Sequence, residues 1–222
     1  RFWRMAVSSG FKTSWISRGI IFVSLFLTLS FIHMLLLQSG IRSTGLIVAA
    51  DVFAFLTVIY GGFAMNYVNG IPLWNTALLP VLYVVSGLWG GAEVTLGISL
   101  GSGAIVAGKA VEEWIRILLV GYLLLVPVYL MSVRYTSSTG EVSVRYMLKG
   151  QWATIFWVGV VLLGMVMPAF AVMQSIVVDI EAVSMTFLCS AILSGLIGDL
   201  AMRYLILKCG VYGPIIPSSS RP

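Results

Sequence analysis

Six long apolar runs alternate with short polar stretches along the chain. They fall near 19–37, 45–67, 76–98, 114–133, 152–172 and 183–207. Each is close to the roughly 20 residues a helix needs to cross the hydrocarbon core of a bilayer. Lipid offers no partner to backbone N–H and C=O groups, and runs of this length pair those groups internally only as helices. The pattern therefore predicts an all-α, polytopic transmembrane helix bundle with six spans. No soluble domain, low-complexity segment or internal repeat interrupts it, so residues 1–222 read as a single membrane domain.

Composition agrees. Of 222 residues, 59% are hydrophobic and 9% charged, and mean hydropathy is +1.03. A soluble domain cannot hide that much apolar surface. Secretion and nucleic-acid binding are poor readings, and the net charge of +5 is better read as topology. Arg1, Arg4, Lys12, Arg18, Arg134, Arg145, Lys149, Arg203, Lys208 and Arg221 fall on one side, 10 of the 13 basic residues. Arg42, Lys109 and Arg116 fall on the other. The positive-inside rule then puts both ends of the chain in the cytoplasm. The chain opens at Arg1 without a signal-peptide pattern, and an incomplete N-terminus is expected.

Redox cofactors find few ligands here. Cys189 and Cys209 sit near opposite ends of the last predicted helix, roughly 30 Å apart, beyond disulfide reach. One histidine excludes a bis-histidine haem within the chain, and no Cys-x-x-Cys occurs. Haem and iron–sulfur clusters are expected only in a partner.

Ionisable residues inside spans are costly and usually face the bundle interior or a watery cavity. Asp51, Glu93, Glu112, Glu113, Asp179 and Glu181 lie at or near the outer side, and Glu141 and Asp199 toward the cytoplasm. Acidic outer loops account for Asp179 and Glu181, not for Asp51 and Glu93. His33 lies roughly 21 Å along the first helix. Asp51 and Glu93 lie roughly 8–9 Å from the outer ends of the second and third. The fourth helix opens with "VEEWIR". Four consecutive helices thus bring ionisable groups to one outer depth, where a histidine and carboxylates can exchange protons. Plainer readings stand beside this. His33 can bond a neighbouring helix, Asp51 can pair with Arg42, and Glu113 and Arg116 can form an i,i+3 pair at a helix start. Asp199 and Arg203 read first as an intrahelical i,i+4 pair with Arg203 snorkelling, and otherwise as part of a proton path.

The third helix suggests how a pocket is built. Tyr83, Ser86, Gly87, Gly90, Glu93 and Gly97 share an arc of about 120°, so Glu93 should face protein rather than lipid. The small residues permit close helix packing. Asn75 can cap the helix, Pro80 falls near its first turn, and Trp74 reads as an interfacial anchor. Pro168 should kink the fifth span.

Four stretches, in order, resemble a known family. "IPLWNTALLPVLYVVSGLWGGAEV" is similar to the W-N-x-x-x-L-P-x-x-F/Y-x-x-S-G-x-x-x-G segment of the NrfD-like membrane subunits of polysulfide reductase and related respiratory oxidoreductases. "FKTSWISRGIIF" resembles the family's S-W/M-x-x-R-G helix opening. "MLKGQWATIFWVGVVLLGMVMPAF" resembles its L-x-G-x-x-x-x-x-F-W-x-G-V-V-x-x-G-x-x-x-P segment. "LAMRYLILKCGVYGP" resembles its closing R-Y-x-x-x-x-x-G. The six spans match the later six helices of an eight-helix core. The resemblance implies a multi-pass protein of the prokaryotic cytoplasmic membrane that binds a quinone (menaquinone or ubiquinone) near the outer face and carries no haem or iron–sulfur cluster of its own. It implies partners: a ferredoxin-like iron–sulfur subunit serving a molybdopterin subunit or a multihaem cytochrome. On this reading His33, Asp51 and Glu93 are candidate quinone-site residues, and Glu112, Glu113, Asp199 and Arg203 candidate proton-relay residues. An ion or proton translocator and a purely structural anchor are the alternatives.

Overall fold

The computed structural model describes residues 14–102, 105–177 and 184–213, and side chains at 100 and 105–109 are not described. Arg1, Arg4, Lys12, Asp179, Glu181 and Arg221, and the side chain of Lys109, lie outside the described residues. The described residues form seven helices and no strand. They are α1 (Trp15–Gln38), α2 (Thr44–Asn66), α3 (Leu78–Gly101), α4 (Ile105–Thr136), α5 (Ser138–Lys149), α6 (Ile155–Val177) and α7 (Met185–Lys208). All but α5 are long and apolar enough to cross a membrane, giving six spans. The protein is a multi-pass helical membrane bundle. The spans alternate in direction, and the end where α1 begins is called the near end.

α3, α4, α6 and α7 make the core. About a third of each span is buried, and Trp89 of α3 stacks on Tyr122 of α4 at 5.1 Å, both fully buried. α1 and α2 form a flanking hairpin, joined by Trp15 stacked on Phe63 and by Gly19 packed beneath the Tyr60 ring. Its outer surface is apolar and exposed, the condition of lipid-facing helices. α2 meets α3 through glycines. A Cβ on Gly62 would lie 2.6 Å from Pro80 Cα, and one on Gly87 would lie 2.8 Å from Val58.

Several expectations change. α4 starts at Ile105, not near 114. Hydropathy reads solubility in lipid, whereas the Glu112–Arg116 i,i+4 pair supports helix in a stretch too polar to register as span. Glu112 and Glu113 therefore sit past the first turn, beyond the reach of a helix N-terminal dipole. α5 is a short amphipathic helix in the presumed loop. Ser137 caps it by accepting from Gly140 N at 3.0 Å, Glu141 stands in its first turn and Lys149 in its last. Trp74, half-buried in the connection between two spans, is also a tie: its Nε1 donates to Ile206 O at 2.7 Å. Tyr129 Oη donates to Leu73 O at 2.6 Å and Gly213 N to Gly70 O at 2.8 Å, so α4 and α7 pin the α2–α3 connection. The cap of α3 comes from Thr76, whose Oγ1 accepts from Leu78 N, rather than from Asn75.

α6 changes winding along its length. Ile155–Val166 is a π-helix, and Met167–Val177 is α. Pro168, which cannot donate a backbone hydrogen bond, follows just after the change. A π-helix, hydrogen-bonded i to i+5, winds wider than an α-helix, which brings residues five apart closer to one face, and Gly159 and Gly164 both reach α7. Gly159 faces Ala201, and Gly164 lies against the Gly198 backbone, where an added Cβ would meet Cα at 2.8 Å.

Candidate functional site

α3 and α7 run antiparallel, and their contact carries most of the interior polar groups. Gly90 lies against Leu196, Gly97 against Ile192, and between them the Glu93 carboxylate rests on Gly195. Glu93 is buried, and its Oε2 has no hydrogen-bond partner among the described residues. Only a glycine leaves room for it: a Cβ at position 195 would sit 2.6 Å from Oε2.

Beyond Glu93, toward the far end, a pocket of about 40 Å³ opens among α3, α4, α6 and α7. Apart from Glu93, Glu112 and Ser175 its walls are apolar, with Pro168, Ala171 and Leu188 among them. Glu112 is buried and paired to Arg116, whose guanidinium also reaches Ser175 O and Oγ at 3.4 Å. The pairing is thus Glu112–Arg116, not Glu113–Arg116. One residue turns the side chain about 100° around a helix, which leaves Glu113 exposed. A cavity of roughly 150 Å³ accepts one benzene ring, and a water needs about 10–15 Å³. At 40 Å³ this pocket suits waters beside two carboxylates and is too small for a quinone ring.

Toward the near end, Arg203 joins three residues. Its Nε donates to Asp199 Oδ2 at 2.7 Å, its Nη2 donates to Ser86 Oγ at 2.8 Å, and its guanidinium lies 4.5 Å from the centre of the Tyr83 ring. The pair is therefore not only intrahelical, because it clamps α7 to α3. Asp199 is one turn along α7 from Gly195. Tyr122 Oη and Trp89 Nε1 are also buried and without a partner among the described residues. Sequence reading had Tyr83 and Ser86 on the right stripe but gave them no partner, and it passed over Ser175, Tyr122 and Trp89. An aromatic in an apolar run carries no signal that its polar atom is unpartnered.

His33 and Asp51 are placed elsewhere. No hydrogen bond or ion pair links either to Glu93 or Glu112, or Asp51 to Arg42, among the described residues. His33 is half-buried on α1 with Nδ1 unpartnered. Asp51 is exposed on α2. The Val58–Gly87 contact and antiparallel packing put Asp51 level with Val94, close to the depth of Glu93, whereas the Gly19–Tyr60 contact puts His33 level with Leu46, roughly 7 Å nearer the far end. But Glu93 points about 120° around α3 from Gly87, and α3 stands between the two carboxylates. Asp51 lies two turns from Val58, on the same face of α2. Gly91, Val94 and Ile98 continue the face of α3 that Gly87 presents, yet all are exposed, with open space around Gly91. α2 and α3 therefore splay apart toward the far end, and Asp51 lines the gap.

The family model described as "Polysulphide reductase, NrfD" matches residues 1–213. A protein named "Protein NrfD homolog" from Haemophilus influenzae is 27% identical over 155 residues, covering 68% of this chain and 48% of that protein. The C subunit of polysulfide reductase from Wolinella succinogenes is 29% identical over 164 residues, covering 68% of this chain and 49% of that protein. The chain spans about half the length of these relatives. No solved structure matches it. With nearly its whole length matched, its four motif segments in order and six spans in the fold, the chain belongs to the polysulfide reductase NrfD family.

Proposed function

We propose that the chain is a membrane subunit of a respiratory oxidoreductase in a prokaryotic cytoplasmic membrane and that it reacts with quinone or quinol. On this reading electrons pass to or from a docked iron–sulfur subunit serving a molybdopterin or multihaem partner, at the face away from the cytoplasm. The observation that carries the reading is the unpartnered, buried carboxylate of Glu93 within a family of polysulfide reductase subunits. A carboxylate deep in a span with no cation beside it is costly to keep and is a functional group by default. The splay between α2 and α3, open to lipid and lined by Asp51, is the candidate approach for the quinone ring. Asp51 is the candidate to hydrogen-bond a quinone oxygen there, whereas His33 faces α2 from the α1 side, away from this gap. Glu93, Glu112 and exposed Glu113 form the candidate proton route toward the far end.

The test uses the assembled complex in native membranes. Asp51→Asn and Glu93→Gln are expected to lower quinol-linked electron transfer at least tenfold, while the partner subunits stay bound and keep their quinone-independent activity. Wild-type turnover in both variants overturns the assignment.

A second reading, proton translocation, draws on one specific observation. The Arg203 network in the near half, Tyr122 Oη between, and Glu93 with the Glu112–Arg116 pair in the far half lie in sequence through the core. Proton uptake by sealed vesicles, measured against quinol turnover, distinguishes the two. A ratio matching quinone chemistry alone removes the second reading, and a higher ratio that falls in Arg203→Gln supports it.

A further inference from the structure

Two adjoining cavities at the near end share one wall. The first is a notch of about 80 Å³ lined by Arg134, Glu141, Arg145 and Lys149. The second is a groove of about 300 Å³ between α4 and α6, with Leu130, Met131, Trp157 and Val161 in its walls. Arg134, Val144 and Leu148 line both. From Arg134 the groove descends past Met131 to Val126, eight residues or roughly 12 Å along α4. Its depth is apolar and its mouth cationic. Three cations face one carboxylate, and no ion pair ties any of the three to Glu141 among the described residues.

The mouth lies at the level of a membrane interface. Arg134 is in the last turn of the α4 span, amphipathic α5 follows at once, and Tyr135 and Tyr146 are exposed beside it. Exposed Trp157 donates from Nε1 to Leu148 O at 3.1 Å, tying the end of α5 to α6. Aromatic side chains with one polar end collect at this level of a bilayer.

We propose that this composite cavity is a binding site for one anionic phospholipid, its phosphodiester held by Arg134, Arg145 and Lys149 and an acyl chain lying in the α4–α6 groove. A zwitterionic lipid would bring its own cation to a mouth already cationic. A quinone ring is neutral and leaves the notch unused. A free phosphate fills the notch and leaves the groove empty. The site is at the opposite end of the bundle from Glu93 and does not rest on the quinone reading.

The experiment purifies the protein within its native complex, exchanges it into nanodiscs of phosphatidylcholine doped with phosphatidylglycerol, and measures retained lipid by mass spectrometry after detergent washing. Wild type is expected to keep about one phosphatidylglycerol per chain through washes that remove phosphatidylcholine. Arg134→Ala with Arg145→Ala should weaken retention roughly ten- to thirtyfold, on the scale of two basic side chains at an anionic surface. Val161→Trp, which fills the groove and leaves every charge, should also lower it. Both arginines are exposed, so the double variant should assemble normally. Equal retention of phosphatidylcholine, wild-type retention in both variants, a quinone retained in place of phosphatidylglycerol, or displacement by millimolar inorganic phosphate would each overturn the proposal.

Discussion

The carboxylate of Glu93 rests on the Cα of Gly195, and a methyl group at 195 would lie 2.6 Å from Oε2 and 2.8 Å from Oε1. The clash involves the far end of a flexible side chain, so it moves the carboxylate rather than the helices. Alanine is also a better helix former than glycine by about 1 kcal/mol. Gly195→Ala is expected to leave thermal stability within about 1 kcal/mol of wild type and to lower quinol-linked turnover at least fivefold. Turnover equal to wild type in the assembled complex would mean that the position of Glu93 does not matter.

Gly198 makes the opposite case. Its added Cβ would meet the Cα and N of Gly164, and backbone cannot swing aside. Gly198→Ala should push α6 from α7 and cost on the order of 1–3 kcal/mol, the range for overpacking. The measurement is melting temperature in detergent beside Gly195→Ala, with Gly198→Ala clearly the less stable of the two.

Arg203 offers a cycle. Removing a charge from a buried pair typically costs about 3–5 kcal/mol. Arg203 and Asp199 keep side-chain exposures of 31% and 18%, so Arg203→Ala should cost less, on the order of 2 kcal/mol. Ser86→Ala removes one acceptor and should cost about 1 kcal/mol. In the double variant the effects should fall short of additive. Full additivity would indicate that the Ser86 bond contributes nothing.

The two cysteines should differ as reagent targets. Cys209 is buried just past the end of α7, and burial pushes its thiol up to about 11. At pH 8 only about one part in a thousand would be thiolate, the reactive form. Cys189 is exposed. A small membrane-permeant maleimide should label the native protein once, at Cys189, and twice after denaturation. Native labelling of Cys209 would contradict the packing of the segment after α7.

How far the sequence reaches is plain at Glu93 and Asp51. Glu93 could be assigned to a protein-facing side because Gly90 and Gly97 share its stripe, and both glycines do meet α7. Asp51 lies at the same depth, and depth is all that counting residues along a span supplies. Which side of α3 a neighbour occupies depends on packing between helices, and that leaves no period in the sequence. The length of α4 escaped for a related reason, since hydropathy stops where lipid solubility stops, not where the helix does. α5 had a usable signal in Ser137, Glu141 and Lys149, hidden only by the assumption that residues between spans form a loop.

The π-wound half of α6 bears on how relatives of different length can share one fold. Gly159 and Gly164 are five apart and both meet α7 because the helix there is wound wide. Removing one residue between them yields G-x-x-x-G, the spacing at which an ordinary α-helix presents two glycines to one neighbour. A single deletion within 160–163 is therefore expected to relax the winding and keep both contacts, where a deletion inside uniformly α-helical α7 would rotate half the helix off its partner. Accumulation of the two shortened proteins in membranes checks this: the α6 deletion should be tolerated and the α7 deletion should not. Gain and loss of one residue at this place is thus a length change the bundle can absorb inside a membrane span.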